Sequence, residues 1–181
     1  GSDGLRDQKL KLLFHTRASY SDETGKMVEQ LKSTGVKSIA VVYQDDPFGK
    51  AGLKSAQGAF ERQGVKPAIE APIDMSKLDA LGPTAAKVAQ SQPGAIIMIT
   101  AGKASTAFIR EYLKTGQRPQ FFGVSVLSAK ALLTDLESDA HGIVIAQVVP
   151  SPHRTSYGIS KEFLEAARKA KSIDITYNSL E

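Results

Sequence analysis

Two adjacent acids, Asp45 and Asp46, close a β-branched run in the stretch "VVYQDDPFGKAG". Paired carboxylates at a strand end can hold a divalent cation, as in phospho-receiver sheets. That chemistry also needs an acceptor aspartate ending the third strand and a lysine ending the fifth. Those ends read "IMITAGK" and "QVVPSPH", and the required residues are missing. The acid pair is then a polar loop in which Asp46, standing before Pro47, opens a turn.

Phosphate chemistry meets the same obstacle. A P-loop needs G-x-x-x-x-G-K-[ST], whose glycines let backbone N–H groups surround phosphates. Gly102 and Lys103 fit, but Ile97 stands where the first glycine belongs and Ala104 where a hydroxyl would hold magnesium. No G-x-G-x-x-G follows a strand, so a dinucleotide fingerprint is missing as well. Hydrolase chemistry lacks a G-x-S-x-G elbow and a cysteine nucleophile. His15, His141 and His153 fall in different elements, and His141 precedes Gly142 at a helix end, where an imidazole meets exposed carbonyls. The reading is therefore no enzyme, no cofactor and no metal. What remains at the strand ends is a set of small, polar and aromatic residues suited to contact a small ligand: Asp46, Phe48, Ala101, Gly102, Ser125 and Val126.

The elements that would position them alternate regularly. "KLLFHTRA" reads as a short strand. "YSDETGKMVEQLKSTG" is a helix capped by Ser21 or Asp22 and stopped by Gly35, with Met27, Val28 and Leu31 as its apolar stripe. "KSIAVVY" is a near-continuous apolar strand of the kind buried on both faces of a parallel sheet. The helix "FGKAGLKSAQGAFERQG" follows, with Leu53, Ala56 and Phe60 on its buried side. "KPAIEAPID" is edge-like, because its prolines remove ladder donors. The chain continues as helix "SKLDALGPTAAKVAQSQPG", starting around Gly82 and Pro83, strand "AIIMITA", helix "KASTAFIREYLKTGQ", strand "PQFFGVSV", helix "SAKALLTDLESDAHG", strand "IVIAQVVP" and helix "SYGISKEFLEAARKAK", and then trails off. This alternation predicts an α/β fold: a Rossmann-like or flavodoxin-like parallel sheet, order 2-1-3-4-5, with helices on both faces. In such sheets ligands sit beyond the carboxyl ends of the strands.

The bulk composition agrees. The 181 residues are 41% hydrophobic and 23% charged, enough for one ordinary domain with a real core. No stretch approaches the roughly 20 apolar residues of a membrane span. "GSDGLRDQKLKLLFH" lacks the apolar core and cleavage site of a signal peptide. The net charge of +4 comes from scattered basic residues without aromatic interleaving, which argues against nucleic acid as a partner. The absence of cysteine excludes disulfides and thiolate metal sites.

The order of motifs carries a resemblance. "FHTRASYSDETGKMVEQL", "KSIAVVYQDDPFGKAGL", "GVKPAIEAPID", "AIIMITAGKASTAFIREYLKTG", "QFFGVSVLS" and "GIVIAQVVPSP" follow one another as in type I periplasmic binding proteins. The chain is most similar to the leucine/isoleucine/valine-binding branch, the solute receptors of ABC importers. The "YxxDxFGxxG" turn and the "AQVVPSP" end are the more specific signals. The resemblance runs through essentially the whole chain and implies a piece of a two-lobed protein, mainly its second lobe. Residues 1–17 would lead from the first lobe into the hinge, 18–150 would be the ligand-binding lobe, and 151–181 would return toward the first lobe. Phe48 matches an aromatic that the family projects over the ligand. Ala101 matches a second aromatic position, and Ser125 matches the carboxylate that holds a ligand ammonium. Those two departures put branched-chain amino acid specificity in doubt and leave a carboxylate or a neutral ligand equally open. The implied partners are a small solute and an inner-membrane permease, and the implied compartment is the periplasm. The alternative is an effector-binding sensor domain of a regulator or receptor. The separated hinge segment "LLFHT", a strand edge without its neighbours, is expected to pair copies of the chain into a dimer.

Overall fold

Strand β3 (Ala95–Ile99) is buried at every position, so it needs apolar cover on both sides. It lies at the centre of a five-stranded sheet with β1 (Ile39–Gln44), β2 (Ile69–Ile73), β4 (Gln120–Gly123) and β5 (Val144–Ile145). The order is β2-β1-β3-β4-β5 and every pairing is parallel, as the alternation predicts. The structure, a computed structural model, describes residues 1–6, 12–171 and 174–180.

Side chains alternate across the sheet and divide the core in two. Ala40, Val42, Ile96 and Met98 face one side, under α3 (Gly82–Gln90), α4 (Lys103–Leu113) and α5 (Ala129–Leu136). Ile39, Val41, Ile97 and Ile99 face the other, under α1 (Tyr20–Ser33) and α2 (Pro47–Gln63). The expected stripes supply the helical half of these layers. Met27, Val28 and Leu31 of α1 and Ala56 and Phe60 of α2 are buried, whereas Leu53 is partly covered. Two further helices, α6 (Gly158–Ala170) and α7 (Tyr177–Leu180), follow the sheet. Of the expected tail, residues 172, 173 and 181 lie outside the described residues, and α7 replaces part of the irregular run.

Three expectations need correction. The strand read over 11–18 does not form: residues 13–16 have no regular structure, with Leu12 90% and Phe14 84% exposed, and Lys11 lies outside the described residues. A strand needs a partner for its backbone groups, and the sheet's edges, β2 and β5, do not take this segment. The strand read over 143–150 shrinks to a ladder of Phe122 with Val144 and Gly123 with Ile145. The neighbouring strand β4 ends at Gly123 and the backbone then turns, with Leu127 N–H donating to the Val124 carbonyl at 2.9 Å. Finally, α1 is capped by Ser19 rather than Ser21 or Asp22. Ser19 Oγ accepts from Asp22 N–H at 3.1 Å while Asp22 Oδ2 accepts from Ser19 N–H at 2.8 Å, a reciprocal capping box.

The turn from β1 into α2 requires a glycine at position 49. A Cβ built there would sit 2.0 Å from the Gln44 carbonyl oxygen, and backbone cannot yield as a side-chain tip can. At Gly58, in the middle of α2, the nearest atom to such a Cβ is Arg62 Nη1 at 3.4 Å. Gly49→Ala should therefore destabilise the fold by about 1–3 kcal/mol. Gly58→Ala should stabilise it by about 0.4–1 kcal/mol, because only the unfolded chain loses freedom. Urea unfolding of both variants checks the pair, and equal effects of one sign would refute the assignment.

Candidate functional site

Each βα unit brings a helix N-terminus to the carboxyl end of its strand, so the turns after β1, β3 and β4 share one rim with the start of α1. Asp46 is the N-cap of α2: its Oδ1 accepts from Gly49 N–H at 2.8 Å and its Oδ2 from Gln44 Nε2 at 2.8 Å. Gln44 reaches across the strands as well, its Oε1 accepting from Ala101 N–H at 2.7 Å. One amide side chain thus locks the exits of β1 and β3 together. Gly102 follows with φ 53°, a left-handed conformation that suits glycine, and begins the turn into α4. Asp45 is exposed and pairs with Lys50 at 2.7 Å. Both acids of the opening stretch are accounted for by local structure, and among the described residues no group of three or more His, Asp or Glu could hold a metal.

Phe48 is half-buried at the start of α2. Its ring meets Tyr20 edge-on, with centroids 5.5 Å apart and planes at 72°. Tyr20 in turn accommodates the amino-terminal residue, its N–H donating to the Gly1 carbonyl at 2.8 Å.

The densest polar chemistry surrounds Ser125, in the turn after β4. Its N–H donates to Glu23 Oε2 at 2.7 Å and its hydroxyl to Glu23 Oε1 at 3.0 Å. Its Oγ accepts from Arg17 Nη2, and its carbonyl accepts from Asn178 Nδ2 at 3.1 Å. Arg17 Nη2 lies 4.0 Å from Glu23 Oε1. Burial pushes the Glu23 carboxyl above the usual carboxylate value, and the Ser125 hydrogen bonds and the Arg17 charge pull it part of the way back. Val126, next in the chain, is half-buried against the α1/α2 core layer.

The rim thus gathers all six residues expected to contact a ligand, but holds Asp46 and Ser125 in internal hydrogen bonds. Sequence reasoning missed Arg17, Tyr20, Glu23, Gln44 and Asn178. A signal existed for Glu23, which falls on the stripe of Tyr20, Met27 and Leu31 at helical spacing. A carboxylate on a buried stripe demands donors from elsewhere. Two depressions flank the rim. One, of about 400 Å³, lies between α1 and the β5 edge and is lined by Glu23, Met27, Phe122 and Val144. The other, of about 550 Å³, lies between the β2 exit and α4 and is lined by Met75, Ser76, Lys103 and Arg110. His141 lines a depression together with Gln120, the first residue of β4 and so at the opposite end of that strand, and its Nδ1 lies 2.9 Å from the Ser138 carbonyl oxygen. Among the described residues no helix is long and apolar enough to cross a membrane.

The family described as periplasmic binding protein matches residues 4–177. This chain belongs to that family. Solved structures agree with the assignment. An extracellular ligand-binding receptor from Verminephrobacter eiseniae superposes with a TM-score of 0.88 at 23% identity, over 99% of this chain and 52% of its own. A substrate-binding periplasmic protein from Ralstonia solanacearum gives 0.83 at 26% identity, over 95% and 49%. A possible leucine/isoleucine/valine-binding protein from Rhodopirellula baltica gives 0.88 at 28% identity, over 99% and 50%. The present chain therefore spans about half the length of these periplasmic binding protein structures. No curated protein matches the sequence.

The raised Glu23 carboxyl makes stability depend on pH with a defined sign. A group whose native pKa lies above its unfolded value contributes stability that is complete below the unfolded value and is lost as pH rises through the native one. Glu23→Gln removes that titration while keeping a similar shape. The variant should therefore gain stability relative to the parent between about pH 4 and about pH 7. Urea unfolding at both ends of that interval measures it, and a difference independent of pH would show that burial does not dominate at Glu23.

Proposed function

We propose that this chain is the ligand-binding lobe of a two-lobed solute receptor that captures a small organic molecule without chemistry and delivers it to an ABC permease. The observation that carries this reading is the rim at the strand carboxyl ends. Gln44 and Ser125 knit its turns into a fixed surface, and Phe48, Ala101, Gly102 and Val126 border it. Family membership supports the reading, as does a chain half as long as its structural relatives: the opposing surface would come from a second lobe. In this reading residues 18–150 form the lobe, 1–17 and 151–181 belong to the hinge and its flanks, and the protein works in the periplasm. The two lobes would close on the solute by hinge rotation, enclosing it between polar anchors and apolar walls.

Half a site binds weakly. A receptor with micromolar affinity gains about 8 kcal/mol, and loss of half of that leaves millimolar binding at best. Titration of this chain with amino acids, aromatic acids, keto acids and amides should give such weak binding, followed by amide NMR shifts at residues 17–23, 44–49, 100–103 and 124–128. Micromolar binding to this chain alone would contradict the two-lobe reading, and shifts confined to other faces would remove the rim from it.

A further inference from the structure

Helix α1 begins with more donors than its own first turn can answer. A helix start leaves four N–H groups without intrahelical partners, and donors in a covered position need acceptors from elsewhere. The capping box answers two of them, at Ser19 and Asp22. The other two are answered by the beginning of the chain. Tyr20 N–H donates to the Gly1 carbonyl at 2.8 Å, and Ser21 N–H donates to Asp3 Oδ2 at 3.3 Å. The same Asp3 oxygen accepts from Ser55 Oγ of α2 at 2.7 Å, and Ser55 is 6% exposed. Further along, Arg6 Nη2 donates to the Arg17 carbonyl. Burial would raise the Asp3 carboxyl, but the hydrogen bonds from Ser55 and Ser21 hold it below its ordinary value, so it stands there as an anion at neutral pH.

These attachments lay residues 1–6 across the first turn of α1 and the middle of α2. Gly1 comes so close that a Cβ built there would fall 2.7 Å from Tyr20 Cε1. Phe48 meets the same ring edge-on, and Tyr20 is left 7% exposed. The ring beside Phe48, at the border of the proposed ligand face, is thus covered by the chain's own backbone. Asp3 is the attachment that reaches both helices. We propose that residues 1–6 are a strap closing the α1–α2 end of the ligand face, with Asp3 as its latch. The inference rests on the reading of the rim as that face. A solute meets the Tyr20 ring only when the strap lifts, so the strap sets how far the face extends past Phe48. Asp3 is a positioning residue, acting through α1 and α2 and not on the solute.

Two readouts need no solute. Hydrogen exchange at the Tyr20 and Ser21 amides reports release of the strap, and broadening of the Tyr20 ring signals by the soluble nitroxide TEMPOL reports access. In Asp3→Ala both amides should exchange at least about tenfold faster, while Ser19 and Asp22 in the capping box keep the parent's rates. The Tyr20 signals, sharp in the parent, should broaden. Asp3→Asn, which keeps an acceptor, should lie between, and Ser55→Ala, which removes only the α2 contact, should act in the same direction. The dispersion of each variant's amide spectrum shows whether it is folded, and access to Tyr20 in the parent is read without any variant. Faster exchange at Ser21 alone would make Asp3 a helix cap and overturn the strap. Tyr20 signals already broadened in the parent would overturn it as well, and so would equal release of Ser19 and Asp22, which marks fraying of α1. These three results leave the ligand face standing. Solute-induced shifts confined to other faces, in the titration described above, would remove the face and the strap's gating role together.

Discussion

A carboxylate enclosed at the end of a parallel sheet has to be answered by donors, and Glu23 is such a carboxylate. The first turn of α1 places it against the turn after β4, 102 residues further along the chain, and Ser125 answers it with backbone and side chain together. That demand shapes the neighbourhood. The chain must leave the sheet at Gly123 so that the Ser125 N–H can turn toward α1, and this departure is why β5 finds so short a ladder. Arg17 is drawn in by the same charge, and α7 is tied to the Ser125 carbonyl through Asn178.

The frame that makes this demand possible is older in the chain of causes. A strand apolar at every position, like β3, forces helices onto both faces of the sheet. Right-handed crossovers then deliver each helix N-terminus to the strand carboxyl ends. Polar groups that cap helices and polar groups that could receive a solute are thereby concentrated on one edge. Asp46 shows how closely the two roles lie: it caps α2, and through Gln44 that cap is bonded to the exit of β3. The turns of the rim are tied together because its capping and cross-strand bonds meet at one side chain, Gln44.

Much of this was legible in the residues. The apolar runs of β1 and β3, the stripes of α1 and α2, and the glycines that end helices are local signals, and the sheet order follows from the alternation of elements. The misread parts depend on long-range partners. "LLFHT" has the composition of a strand, but no sheet edge takes it. "IVIAQVVP" has the same composition and pairs over only two residues, because its neighbour turns away. At the rim, the turns that carry Phe48 and Gly102 were legible because turn chemistry is local. Glu23 left a trace in the buried stripe of α1, but its contact with Ser125 and Arg17 joins residues that no spacing rule brings together. The paired acids Asp45 and Asp46 serve an ion pair and a helix cap.

The central claim is that the Glu23–Ser125 link, rather than the apolar layers alone, fixes the geometry of the rim. A double-mutant cycle on folding stability with Glu23→Ala, Ser125→Ala and the double variant isolates that link. The account predicts a coupling of about 1–3 kcal/mol, the range of hydrogen bonds to a buried charged group. Additive effects of the two substitutions would contradict it, and would mean that α1 and the β4 turn are placed independently of each other.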